Sequence, residues 1–472
     1  MMTEAREGKG TVLNDAHSGL NPTRVARVVA PRTVDDVVAV MRMAGSEGRA
    51  ISIAGSRHAM GGQQFGTDNV HLDMRSMAAI RGLDEEHGIV DVEAGAEWSE
   101  LIDGLLALQS GATDQWGICQ KQTGSDHLSI GGALASNVHG RGLTQRPIVA
   151  DVESFTMVGP DGEVDEIDRT SDPERFALAI GGYGLFGVVT SVRLRLTPRH
   201  ILRRDVTLVG VDELMPAFEE RIAQGYEFGD CQFSIDDKSA DFLRLGILSC
   251  YRPDPGASAI PEGQRGLSPA DWGKLLYLTH VDKAAAAQAY IAHYTATSGQ
   301  LYWSDLHQRS EYVGQYHALL DRVLGATTPG SEIITEIYVP RPALAAFMAD
   351  AAEALRDGDP PVVYGTIRLV ERDEETVLAW AREPWACIII NLHTIHDLAG
   401  LASSEEAFRA LIDLARRHGG SYYLTYHRFA GRDQVEACHP RFAEFLAAKR
   451  RLDPAERFAS DWYRHYRDAF AG

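Results

Sequence analysis

The chain has 472 residues, 44% of them hydrophobic, which is the composition of an ordinary globular protein large enough for two lobes around sizeable cores. Its 66 acidic and 46 basic residues give a formal charge of -20, which repels nucleic acid and anionic membrane surfaces and suits a neutral or cationic small-molecule substrate. Apolar runs such as Ala386 to Ile390 fall far short of the roughly 20 residues of a spanning helix, so no transmembrane segment is expected.

The first ten residues are charged and lack the apolar centre of a secretory signal, so a cytoplasmic protein is expected. Thr33 followed by Asp36 reads as a helix start, with Val34, Val37, Val38 and Met41 on one face until Gly45 and Gly48 end it. A strand follows at Ala50 to Ala54 and runs into the loop Gly55-Ser-Arg-His58-Ala-Met-Gly61-Gly62-Gln63. Glycines there let backbone N–H groups converge on phosphate oxygens, a cradle for a pyrophosphate. His58 would then sit near the tricyclic ring of a flavin, where a neutral imidazole nitrogen is a competent nucleophile for a permanent bond.

Further on come a short apolar piece at His71 to Met74, a strand at Ile89 to Ala94, and a helix whose Trp98, Leu101, Ile102 and Leu105 share a face. The run Gly124 to Gly142 crowds glycines, hydroxyls and amides around Leu128, Ile130, Leu134 and Val138, the pattern of buried backbone that something approaches closely. Val152 to Val158, Gly-Pro-Asp-Gly162 and Glu163-Val164 spell a hairpin. Gly182-Tyr-Gly184-Leu-Phe-Gly187 matches G-x-G-x-x-G but precedes the alternating strand Val188 to Leu196, which is the wrong context for a nicotinamide-binding Rossmann turn. Pro198 closes this lobe, and from Arg199 to Arg416 longer strand-like runs alternate with alanine-rich helices in a second lobe. Five cysteines, scattered without C-x-x-C spacing, argue against both disulfides and structural zinc, and His393-Thr-Ile-His396 lacks a third ligand, so no metal is expected. Lys449, Arg450 and Arg451 read as a solvated basic face.

Four motifs in order, the Ala54 to Gln63 loop, the stretch Leu128 to Gly140, the Pro-Asp-Gly hairpin and Gly184-Leu-Phe-Gly-Val-Val, resemble the vanillyl-alcohol-oxidase-type (PCMH-type) FAD-linked oxidoreductases. Within that family the chain resembles decaprenylphosphoryl-ribose oxidase, alditol oxidase and the aldonolactone oxidases. The resemblance implies an α+β, two-lobed fold: an FAD-binding domain over 1–198, a sheet-based substrate or cap domain over 199–416, and a C-terminal segment, 417–472, that returns to complete the FAD site. It assigns Ala54, Gly55, Ser56, Arg57, His58, Ala59, Met60, Gly61 and Gln63 of the first loop to FAD. It adds Gly124, Ser125, Ser129, Ile130, Gly131, Gly132, Ser136, Asn137 and His139 of the second, with Val189 and the tail residue Tyr423. Alditol and aldonolactone oxidases carry a flavin-linked histidine where this chain has His58, so FAD attached covalently through His58 is expected. No cysteine matches a second attachment point.

The catalytic lysine of decaprenylphosphoryl-ribose oxidase falls on Tyr426, a departure that leaves Tyr426 and His427 as the groups able to take a proton. Glu336 and Arg368 fall where relatives place substrate-facing polar side chains, and a buried Glu336 calls for a cationic neighbour such as Arg368 or a bound hydroxyl. His393, after a long apolar strand, is the remaining candidate. The expected activity is oxidation of an alcohol group on a sugar, polyol, lactone or related compound by hydride transfer to flavin N5, with oxygen or another electron acceptor completing the cycle. An aromatic (benzylic) alcohol, a non-redox FAD-containing transferase and an FAD-binding storage protein are the competing readings.

Overall fold

The computed structural model describes residues 10–310, 313–314, 316–356 and 358–471, so the charged N-terminal decapeptide lies almost wholly outside the described residues. The N-terminal part holds a two-stranded antiparallel ribbon, Thr11–Leu13 with Thr23–Val25, and two larger sheets. Arg27–Val29, Val70–Asp73 and Ile51–Ala54 form a three-stranded parallel sheet in that order. The helix Val34–Ser46 covers it: Thr33 caps the helix by accepting a hydrogen bond from the Asp36 N–H, and Val37, Val38, Val40, Met41 and Ala44 are buried. The second sheet is antiparallel in the order Val164–Asp168, Val152–Val158, Val188–Pro198, Ile89–Glu93 and Ile80–Asp84, with Trp116–Ile118 paired to the far end of Val188–Pro198. Trp98, Leu101, Ile102 and Leu105 of the helix Trp98–Leu108 fill its core, at the spacing the sequence shows.

G-x-G-x-x-G follows the helix Pro173–Ala179 and enters a strand, opposite to the Rossmann order. Its Tyr183 and Gly184 have φ of 54° and 72°, a left-handed pair that turns the chain toward the second sheet. The Gly124 to Gly142 run, expected as buried, closely approached backbone, contains the helix Ile130–Ser136. Ser129 caps it by accepting from the Gly132 N–H, and Asn137 ends it at φ 48°. Two adjacent glycines, the poorest helix formers after proline, hid it.

The second lobe is an eight-stranded antiparallel sheet ordered Leu301–Trp303, Ile201–Gly210, Leu245–Pro253, Phe228–Phe233, Val362–Val370, Trp385–Ile395, Gly330–Pro340 and Ser421–Tyr422. On the Gly330–Pro340 strand, Ile333, Ile337 and Val339 point into the core under the helices Leu344–Leu355 and Leu398–Arg417, so Glu332, Ile334 and Glu336 take the opposite face. The last strand belongs to the C-terminal segment, which then crosses to the first lobe: the Ile51 N–H donates to the Arg457 carbonyl and Asn69 Nδ2 donates to the Ala459 carbonyl. Leu178, Leu185 and Phe186 of the first lobe share one apolar cluster with Ile337 and Ile388 of the second and Trp462 of the tail. No helix among the described residues is long and apolar enough to cross a membrane.

The basic cluster divides. Arg450 and Arg451 are exposed, but Lys449 is fully buried, donating to the Leu185 carbonyl at 2.7 Å and pairing with buried Asp453. The helical register, which turns position 449 inward beside Phe445 and Leu446, overrides the apparent charge run. Replacing Asp453 by alanine strands that ammonium and is expected to cost about 3–5 kcal/mol of stability, measured as a drop in the urea unfolding midpoint.

Candidate active site

A cavity of about 530 Å³ lies between the two glycine-rich loops of the first lobe and the open face of the second-lobe sheet. The first loop is anchored from outside: the Ala16 N–H donates to the Arg57 carbonyl, Asn21 Nδ2 to the Met60 carbonyl, and Gln63 Nε2 to the Thr425 carbonyl of the tail. Arg57 sits at φ 61°, the kink that presents His58. A Cβ on Gly55 would lie 2.0 Å from Ser129 Oγ, so only glycine lets the two loops touch.

Of the residues assigned to FAD, Ala54 to Met60, Gln63, Gly124, Ser125, Ser129, Gly131, Gly132, Ser136, His139, Val189 and Tyr423 line this cavity. Gly61, Ile130 and Asn137 do not. Gly61 donates its N–H to the Thr425 carbonyl, Ile130 is core, and Asn137 Nδ2 is held by Asp373 at 2.9 Å. Burial and nearby His17 push His58 down to about 4, so its imidazole is neutral and nucleophilic at physiological pH. Cys119 lies away from the cavity, its thiol donating to the Arg195 carbonyl.

Glu336, 2% exposed, is the centre of the site. Its Oε1 accepts from His139 Nε2 at 2.8 Å, from the Tyr338 hydroxyl at 2.5 Å and from the Cys387 thiol at 3.3 Å, while Oε2 accepts from the Tyr426 hydroxyl at 2.9 Å. Burial alone would raise this carboxyl, but His139 and the hydrogen bonds hold it down at about 2. His139 Nδ1 faces the Gly140 carbonyl at 3.0 Å, which fixes the ring against Glu336. The basic neighbour that stabilises the Glu336 carboxylate is therefore His139, a residue assigned from sequence to the cofactor, and not Arg368. Trp380 braces the cluster, stacked on Tyr338 at 4.8 Å and donating its indole N–H to the Asn137 carbonyl.

Tyr426 and Arg368 line the same cavity; Arg368 donates to the Thr123 hydroxyl and its Nε has no hydrogen-bond partner among the described residues. His427 and His393 stand elsewhere. The His427 ring stacks on Phe429 at 3.3 Å and accepts from the Arg428 N–H, and burial lowers it to about 3. His393 lies within the strand Trp385–Ile395, paired in register with Glu332 and packed edge-on against His280 at 4.8 Å.

Sequence reasoning missed the far half of the chamber. Glu332 and Asn391 line it with an aromatic wall of Trp272, Tyr290, Tyr294, Tyr316 and Tyr364. The period-2 spacing of Glu332, Ile334 and Glu336 was the available signal; the partners come from distant strands and helices and leave none. Burial raises Glu332 to about 7, against one hydrogen bond from Asn391. His139, Glu336 and Cys387 also offer ligand atoms within 4.8 Å of one another, but their protons are committed to hydrogen bonds inside the trio.

Several polar atoms along the walls, Gln63 Oε1, Gln64 Oε1 and Thr366 Oγ1, are buried without protein partners among the described residues. Together with the bare glycine backbone, they fit a large polar, planar cofactor.

The comparisons with known proteins identify that cofactor. Residues 25–168 match the FAD binding domain family. Alditol oxidase from a Streptomyces species is 25% identical over 85% of this chain and 87% of its own length. L-gulono-1,4-lactone dehydrogenase from Mycobacterium tuberculosis is 22% identical over 93% and 95%. An uncharacterized oxidoreductase of the fasciation locus of Rhodococcoides fascians is 32% identical, but over 37% of this chain and 38% of that protein. The fold matches a solvent-stable cholesterol oxidase at 16% identity, with a TM-score of 0.71 over 98% of this chain and 97% of that one. The chain therefore carries an FAD binding domain at residues 25–168 and is similar over most of its length to an alditol oxidase and a lactone dehydrogenase.

The raised Glu332 carboxyl carries a linkage signature. A carboxyl near 4.5 unfolded and about 7 folded contributes stability that is full below 4.5 and lost as pH rises through 7. Glu332→Gln removes that loss, so its melting temperature should exceed the wild-type value by more at about pH 8 than at about pH 4, read by calorimetry.

Proposed function

We propose that this protein oxidises a CH–OH group of a sugar, polyol, lactone or related alcohol to the carbonyl. The observation that carries the reading is the chain Tyr426–Glu336–His139 on the wall of the cavity that the FAD-binding loops line. The names of the full-length relatives, alditol oxidase and lactone dehydrogenase, agree with it. Bound FAD supplies acceptance of a hydride from the carbinol carbon at N5 and delivery of the electron pair to oxygen or another acceptor.

The protein's own groups handle the proton. Tyr426 donates to Glu336 Oε2, which leaves its oxygen lone pairs for the substrate hydroxyl. As the carbon–hydrogen bond breaks, the hydroxyl proton passes to the Tyr426 oxygen while the Tyr426 proton moves to Glu336. Burial and the adjacent carboxylate raise the Tyr426 phenol well above its ordinary value, so the relay is concerted and no free phenolate forms. His139 holds Glu336 ionised beforehand, which keeps it ready to accept. Arg368, within electrostatic reach of Tyr426, places its unpartnered Nε–H against the developing alkoxide. His427 and His393 have no part in this scheme.

On the flavin side, His58 is the group we assign to a covalent link; its neutral nitrogen and place on the cavity wall support that. An imidazole substituent withdraws electron density and raises the ring's potential, widening the range of alcohols within reach. A benzylic alcohol is the second reading, favoured by the five aromatic rings of the far chamber.

Tyr426→Phe and Glu336→Gln are each expected to lower the rate of anaerobic flavin reduction by an alcohol about a hundredfold or more, with FAD content unchanged. Acid precipitation of the wild type should leave the yellow colour on the protein, and His58→Ala should release it; colour freed from the wild type would overturn the covalent assignment.

A further inference from the structure

The far end of the chamber takes no part in that chemistry, yet it is built as a recognition site. Glu332 and Glu336 stand four residues apart on one strand face, about 13 Å at the rise of a β-strand. Arg368 lies past Glu336 in the other direction: it aligns with Cys387, which aligns with Tyr338. The chamber thus has a guanidinium beyond the reacting end and a carboxyl at the distal end.

Glu332 has no cationic protein partner among the described residues. Asn391 Nδ2 donates to its Oε2 at 3.1 Å, leaving Asn391 Oδ1 unpartnered and available to a second donor. His280 Nε2, from the Pro269–Val281 helix, stands 3.9 Å from Oε1, and burial with neighbouring His393 pushes it down to about 3, so it is neutral. His393 faces Glu332 across the ladder and is likewise lowered by burial; Tyr290, from the helix Lys283–Ala296, has a phenol raised by burial and remains uncharged. A carboxyl so enclosed either keeps a proton or waits for a cation. Tyr364, which pairs in register with Asn391, shares this wall with Tyr290 and Trp272, and aromatic faces stabilise a desolvated ammonium. The net charge of -20 draws cations toward the protein.

We propose that the substrate is an amino alcohol whose protonated amine docks on Glu332, between Asn391 and the aromatic wall, while its carbinol reaches Tyr426 and Glu336. The proposal rests on the alcohol-oxidation reading for the second half of that statement and on the geometry of Glu332 for the first.

The two halves separate experimentally. The holoenzyme is titrated by calorimetry at about pH 6.5 with phenethylamine and with the neutral phenylacetamide, in two buffers of different ionisation enthalpy. Phenethylamine should bind at least about tenfold more tightly and displace a proton from the protein. Glu332→Gln, with an unchanged flavin spectrum, should lose both the preference and the proton release. Equal binding of the two probes by the wild type, binding of the amine without proton release, or a preference that survives in Glu332→Gln each overturns the amine site. The wild-type titrations decide the matter even if the variant does not fold. In parallel, 4-(aminomethyl)benzyl alcohol is compared with 4-ethylbenzyl alcohol in anaerobic flavin reduction. A higher kcat/KM for the amine supports the proposal, and equal or better turnover of the neutral alcohol overturns it. Reduction by neither overturns the alcohol-oxidation reading, and the calorimetry still decides the amine site.

Discussion

One buried carboxylate ties the molecule together. Glu336 stands buried on the penultimate strand of the second-lobe sheet, where an unpaired charge is prohibitive, and its donors come from all three parts of the chain: His139 from the first lobe, Tyr338 and Cys387 from the sheet, and Tyr426 from the C-terminal segment. Each donor is fixed by a local device. His139 follows the short helix that Asn137 ends in a left-handed turn, Tyr338 is stacked under Trp380, and Tyr426 follows the stretch whose Thr425 carbonyl the first loop grips. Satisfying that carboxylate and closing the cavity are therefore the same event.

The sheet then acts as a ruler. Strand alternation puts Glu332, Ile334 and Glu336 on the open face and Ile333 and Ile337 in the core, so the positions of charge along the chamber follow from the register alone. What the register cannot supply is solvation. The same residue type lies four positions apart on one strand and behaves oppositely, Glu336 held low by its donors and Glu332 raised by its isolation. Environment, more than identity, assigns the two carboxyls their separate tasks.

Much of this was legible in the sequence wherever the signal is local. The Thr33 cap, the apolar faces of Val34 to Met41 and Trp98 to Leu105 and the Pro-Asp-Gly hairpin all depend on neighbours within a few residues, and all stand in the structure as read. The helix at Ile130–Ser136 was hidden because tertiary packing around Gly131 and Gly132 outweighs their intrinsic cost. The partner of Glu336 was misjudged because His139 is 197 residues distant and nothing local announces a pairing across lobes. Lys449 looked solvated as one of three consecutive basic residues, and only the helical phase shows that it turns inward.

The tail has a consequence for how the molecule comes into being. Ser421–Tyr422 supplies the outer strand of the second-lobe sheet, Phe458 bridges to Ile51, and Asp461 accepts from the Thr67 N–H and hydroxyl. The earlier sheets therefore keep a bare flank until residues 421–461 have folded back onto them, and the stretch of chamber wall formed by Tyr423, Thr425 and Tyr426 is built only in that step.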